Sequence, residues 1–75
     1  MPLSKIEIGT TAIVDCVDAP PHIAGRLGDL GFIPGTPVTP IRRAPLGDPG
    51  VYEIRGVQYC LRRSEAGTIR VRSVE

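Results

Sequence analysis

Hydrophobic and polar residues alternate with a period of two over most of this chain, the spacing of strands that bury one face. Ile13 and Val14, flanked by Thr11 and Val17, predict a first strand from about Thr10 to Val17, entered by a turn at Gly9. Tyr52 and Ile54 share one face of a third strand. Val57, Tyr59 and Leu61 share one face of a fourth, with Gly56 as the hairpin turn between the two. In a last strand Ile69 and Val71 face inward while Arg70 and Arg72 face water. The second strand, about 36 to 43, contains Pro37 and Pro40, which cannot donate to a ladder, so it must lie partly at an edge or bend there.

One stretch has a helical period instead. Leu27 and Leu30 stand three apart with Ile23 a turn earlier, and Gly31 falls where a helix C-terminus favours a left-handed residue. Pro21 suits a first helical turn, and Asp18 or Ala19 would form the cap region, so the helix is expected at about 21 to 30. Pro34-Gly35 then supplies the two φ values of a type II turn. Ser64 is expected to cap a short turn through Gly67. Five short strands and one helix inserted after the first strand leave too many edges for a flat sheet, so a mainly β chain curled into a small barrel is predicted. Periodicity alone fits an SH3-like or an OB-like barrel.

Seventy-five residues without internal repeat, linker or low-complexity segment make a single domain, 1–75. At that size only about 60% of the unfolded surface is buried, which argues against a deep enclosed active site. No stretch approaches the roughly 18 apolar residues of a membrane span, and the first residues lack the form of an export signal, so a cytoplasmic location is expected. Cys16 and Cys60 belong to no Cys-x-x-Cys pair and are expected to be partly buried thiols.

Catalytic chemistry finds little support. There is no phosphate-cradling loop with a lysine, and Gly25, Gly28 and Gly31 do not form a dinucleotide fingerprint. His22, the single histidine, could serve as a divalent-metal ligand with Asp18 or Asp15, but no second histidine or paired thiolate stands at ligand spacing. No cofactor is expected. The net charge is +1, yet residues 1–41 carry two cations against four carboxylates, and residues 42–75 carry seven arginines against four. That asymmetry could mark a binding face.

The order Arg26-Leu27, Leu30-Gly31, Pro34-Gly35, Ala44-Pro45, Gly47-Asp48-Pro49, Leu61-Arg62, Glu65-Ala66 and Ile69-Arg70-Val71, after an opening from Leu3 to Gly9, resembles the FeoA family of bacterial ferrous iron uptake over nearly the whole chain. The resemblance implies an SH3-like barrel. It also implies a non-enzymatic accessory protein that docks on the cytosolic GTP-binding part of the membrane transporter FeoB and modulates it. Such a protein would associate peripherally with the inner membrane through its partner.

For a binding module, the special residues lie in loops and turns. A partner's apolar side chain is expected beside Leu30, Phe32, Ile33 and Pro34, with Pro45, Leu46, Gly47, Asp48 and Pro49 forming one wall and Arg42 and Arg43 making electrostatic contacts. An exposed edge strand would also permit self-association. The alternative readings are a metal-binding small barrel and an RNA-binding barrel using the C-terminal arginines. The latter is disfavoured by the near-neutral charge and by the scarcity of aromatics, Phe32, Tyr52 and Tyr59.

Overall fold

The inward-facing residues of five strands, Ala12, Val14, Val38, Tyr52, Ile54, Leu61, Ile69 and Val71, close on one another in a single core. The computed structural model describes residues 1–74. The strands are β1 (Ala12–Val17), β2 (Pro37–Arg43), β3 (Gly50–Ile54), β4 (Val57–Leu61) and β5 (Ile69–Ser73), in the antiparallel order β4-β3-β2-β1-β5. Helix α1 (Pro21–Leu30) follows β1 as the hydrophobic spacing predicts. The fold is mainly β.

The helix ends in a Schellman arrangement. Gly31, at a φ of 116°, directs its own N–H to the Gly28 carbonyl and the Phe32 N–H to the Leu27 carbonyl, each at 3.0 Å. Leu27 and Phe32 are then both buried in the core. At the other end the cap differs from expectation. Pro20 is the N-cap, its carbonyl accepting from Ile23 and Ala24, while the Asp18 N–H is used by the Thr68 carbonyl at 2.7 Å.

Strand β2 lies inside the sheet, not at an edge, and solves its proline problem by position. Pro37 is its first residue, and Pro40 precedes a register shift against β3. Beyond Val38 the β1 side of β2 is covered by the preceding segment, with Thr11 and Thr39 hydroxyls 2.8 Å apart and the Gly9 N–H on the Pro40 carbonyl at 2.8 Å. The bend lets the sheet curl.

Closure comes from elements that the alternation did not reveal. Met1 and Pro2 line the outer edge of β5, the Val71 N–H donating to the Met1 carbonyl and the Met1 ammonium to the Val71 carbonyl. A 3₁₀ turn at Leu3–Lys5 and a four-residue helix α2 (Arg63–Ala66) bring Leu3, Ile6 and Ala66 into the core. The N-cap of α2 is Arg62, not Ser64, and Glu65 one turn on reaches back so that its carboxylate accepts the Arg62 N–H at 2.9 Å. Glu65 also pairs with Arg26 of α1, tying the two helices together.

Replacing Gly31 with alanine forces a Cβ into left-handed backbone and should cost about 1–2 kcal/mol, lowering Tm by roughly 4–16 °C for a domain of this size. Gly28→Ala tests the opposite case. It places a methyl where nothing lies within 4 Å and should leave stability unchanged or raise it by up to ~1 kcal/mol, because alanine favours helix. Thermal melts of the two variants check both signs.

Candidate docking surface

The loop between β2 and β3 is fastened along its length. The Ala44 N–H donates to the Pro49 carbonyl at 3.0 Å and the Gly47 N–H to the Ala44 carbonyl at 2.7 Å, with Gly47 at positive φ. Asp48 Oδ1 accepts the Arg63 N–H at 2.9 Å, so the loop is pinned to the start of α2. The Arg63 guanidinium reaches the Leu46 carbonyl at 3.4 Å. On this fixed frame the Leu46 side chain is 89% exposed. A leucine held out by a tethered backbone loses little order on binding and is the kind of apolar anchor on which small interfaces depend.

Charge surrounds that anchor. Arg42, Arg62 and Arg63 are exposed on the segments that border the loop. Arg43 is not a free surface cation. It donates to the Ile6 carbonyl at 2.8 Å and lies 5.9 Å from the Tyr52 ring centroid, so it holds the N-terminal segment against β2. Arg43 is thus committed within the fold, whereas Arg42 is exposed and has no bonded partner among the described residues.

The remaining predicted contacts lie elsewhere. Leu30, Phe32, Ile33 and Pro34 sit where α1 turns into β2, beside the β3–β4 hairpin, with the Arg55 side chain 3.9 Å from the position of a Cβ on Gly31. The 44–49 loop joins the opposite ends of β2 and β3, roughly 20 Å away along a seven-residue strand. The expected single groove is therefore not formed. Phe32 is excluded as an anchor, because the Schellman turn drives it inward to 1% exposure. Leu30 is half-buried against the core, and Ile33 and Pro34 are exposed.

His22 and Asp18 are exposed, and Asp15 is paired with Arg72. Among the described residues no group of three or more histidine, cysteine or carboxylate side chains is placed to hold a metal ion. Cys16 and Cys60 are both exposed, contrary to expectation: Cys60 falls on the outward phase of β4, and Cys16, which shares the parity of buried Ala12 and Val14, is turned outward by the register shift between Val14 and Cys16. Of the aromatics, Phe32 and Tyr52 are buried and Tyr59 is half-buried with its ring 6.1 Å from that of Phe32. That leaves no open stacking platform for bases. An open cleft of about 330 Å³ is lined by Met1, Lys5, Ile6, Glu7 and Thr10, residues that no periodic pattern in the sequence groups together.

Comparison with known proteins agrees with the fold. The FeoA domain family matches residues 1–73. A Porphyromonas gingivalis protein described as an Fe(2+) transport protein A/Fe(2+) transporter FeoB fusion is 34% identical over 71 residues, which are 95% of this chain and 8% of that protein. The solution structure of the FeoA protein from Chlorobium tepidum superposes with a TM-score of 0.92 at 39% identity, covering 100% of this chain and 71% of that one. The zinc complex of Stenotrophomonas maltophilia FeoA, described as a procaryotic SH3 domain protein, gives 0.85 at 35% identity, covering 95% and 88%. No helix among the described residues is long and apolar enough to cross a membrane.

Phe32→Ala should cost about 3–5 kcal/mol and largely unfold the domain, as expected for an aromatic core deletion. Asp48→Ala should cost only ~1 kcal/mol, the usual value of a helix-capping contact. It should also raise the mobility of Leu46 in NMR relaxation while leaving the rest of the fold in place.

Proposed function

This chain belongs to the FeoA family of ferrous iron transport accessory domains, and from that premise we propose that it is a non-enzymatic cytoplasmic regulator that docks on a FeoB-type iron transporter. The observation that carries the reading is the Porphyromonas gingivalis relative, in which the corresponding segment and a FeoB transporter form one polypeptide. Covalent linkage holds two modules at an effective concentration on the order of millimolar, an arrangement suited to partners that work on each other.

The target on the transporter is its cytosolic GTP-binding part, and docking brings the domain to the inner membrane without insertion. Leu46 supplies the apolar anchor and Arg42 the steering charge. Modulation requires that the docked domain bind two nucleotide-linked states of the transporter with different affinities; equal affinity would shift nothing.

Binding of the full-length transporter, reconstituted in nanodiscs with GDP or a GTP analogue, tests this. Leu46→Glu should weaken binding by roughly 10- to 100-fold, the loss of one well-buried aliphatic anchor, with an unchanged melting temperature. Arg42→Glu should slow association, most at low salt. Full affinity in Leu46→Glu would remove the loop from the interface, and identical affinity in both nucleotide states would remove regulation.

A further inference from the structure

The two edges of the sheet are finished differently. The β5 edge carries Arg70 and Arg72 and is covered by Met1 and Pro2. The β4 edge, Val57-Gln58-Tyr59-Cys60-Leu61, contains no charge, proline or bulge and is paired on one side only. Natural edges usually carry one of those blocking features, so an unblocked edge is a template for another strand.

The hairpin fixes which backbone groups are free. Arg55 and Gly56 both have positive φ, 54° and 78°, the two-residue type I′ turn. Ile54 and Val57 are then a hydrogen-bonded pair, and alternation makes Tyr52–Tyr59 and Gly50–Leu61 hydrogen-bonded pairs too. Gln58 and Cys60 therefore point their N–H and C=O groups away from β3, and neither residue takes part in any of the turn, loop or cap backbone bonds among the described residues. Both side chains are exposed.

Charge selects the occupant. Exposed Arg55 precedes the strand and exposed Arg62 and Arg63 follow it. Nearby carboxylates are already engaged, Glu65 with Arg26 and the Arg62 N–H, and Asp48 with the Arg63 N–H. Glu53, opposite Gln58 on β3, is half-buried. A second copy is a poor fit. The antiparallel register that satisfies all four free groups sets Gln58 against Cys60 about a central Tyr59, and so sets Arg55 of one copy against Arg63 of the other, twice.

We propose that the β4 edge binds an extended, uncharged segment of another protein with acidic residues at both ends, which adds antiparallel to β4 as a sixth strand. Main-chain bonds to Gln58 and Cys60 supply the pairing, apolar residues of the segment lie beside Val57, Tyr59 and Leu61, and the terminal acids meet Arg55 and Arg62-Arg63. The site does not require the transporter, so this proposal and the docking reading fail separately.

The test uses the isotope-labelled full chain and a synthetic nine-residue peptide of five alternating valines and threonines, valine first, with two acidic residues at each end. At millimolar peptide, the amides of Gln58 and Cys60 should shift and exchange at least about tenfold more slowly. A peptide with lysines at its ends should bind at least about tenfold more weakly at low salt, and the Arg55→Glu/Arg62→Glu variant should reverse that preference. Cys60→Pro removes a free N–H without breaking a bond to β3 and should abolish the shifts; should that variant fail to fold, a probe N-methylated at alternate residues should be equally inert. Undisturbed Gln58 and Cys60 amides, equal binding of both peptides, or protection of the same amides by dimerisation without peptide would each overturn the proposal.

Discussion

The backbone passes through Gly31 at a φ of 116°, and that turn puts the Phe32 N–H on the Leu27 carbonyl and both side chains under the sheet. A ten-residue helix has almost no stability of its own, so α1 persists because Leu27 packs and because the chain leaves it in the right direction. The same turn sets where β2 begins. From there the register against β3, the bend after Pro40 and the exit of the 44–49 loop all follow. With so little core to share, an error at Gly31 would reach both ends of the molecule.

Edge management is the second constraint, and it links fold to surface chemistry. The β5 edge is sealed by the first two residues, and Arg43 clamps the chain that follows them by bonding the Ile6 carbonyl. Those contacts consume one arginine and leave Arg42, Arg55, Arg62 and Arg63 exposed around the loop and the open β4 edge. The excess positive charge of the C-terminal half is thus concentrated where backbone groups and Leu46 face solvent. Exposed arginines add little to stability, but they bias which partners approach.

Local rules explain what was legible beforehand. The helix from Pro21 to Leu30, the hairpin at Gly56 and the inward phase of Ile69 and Val71 each depend on residues within a turn or a strand of one another. What escaped depends on partners distant in sequence. Leu3 and Ile6 form too short a pattern to announce a core segment, yet both are buried in the core. Glu65 caps Arg62 because Arg26, 39 positions earlier, holds it from the other side. Phe32 carries no local signal separating anchor from core; only the Schellman geometry at Gly31 decides it. The predicted groove failed for a related reason, since residues 34 and 45 are near in sequence but divided by the full length of β2.

A core this small leaves function to the surface, and rigidity there has a definite consequence. The 44–49 loop is held by four hydrogen bonds and β4 by its ladder to β3, so a partner meets groups already in position and bears little of the ordering cost on this side. A rigid module shifts a partner's equilibrium by the difference between its affinities for the partner's states and has no large rearrangement of its own to contribute. On the proposed reading, discrimination would then arise from the partner, in whether a pocket for Leu46 and an acidic, extended segment are presented together. Under the proposed docking, the switch then lies in the partner, and this domain contributes an outward leucine and an open strand edge of fixed geometry.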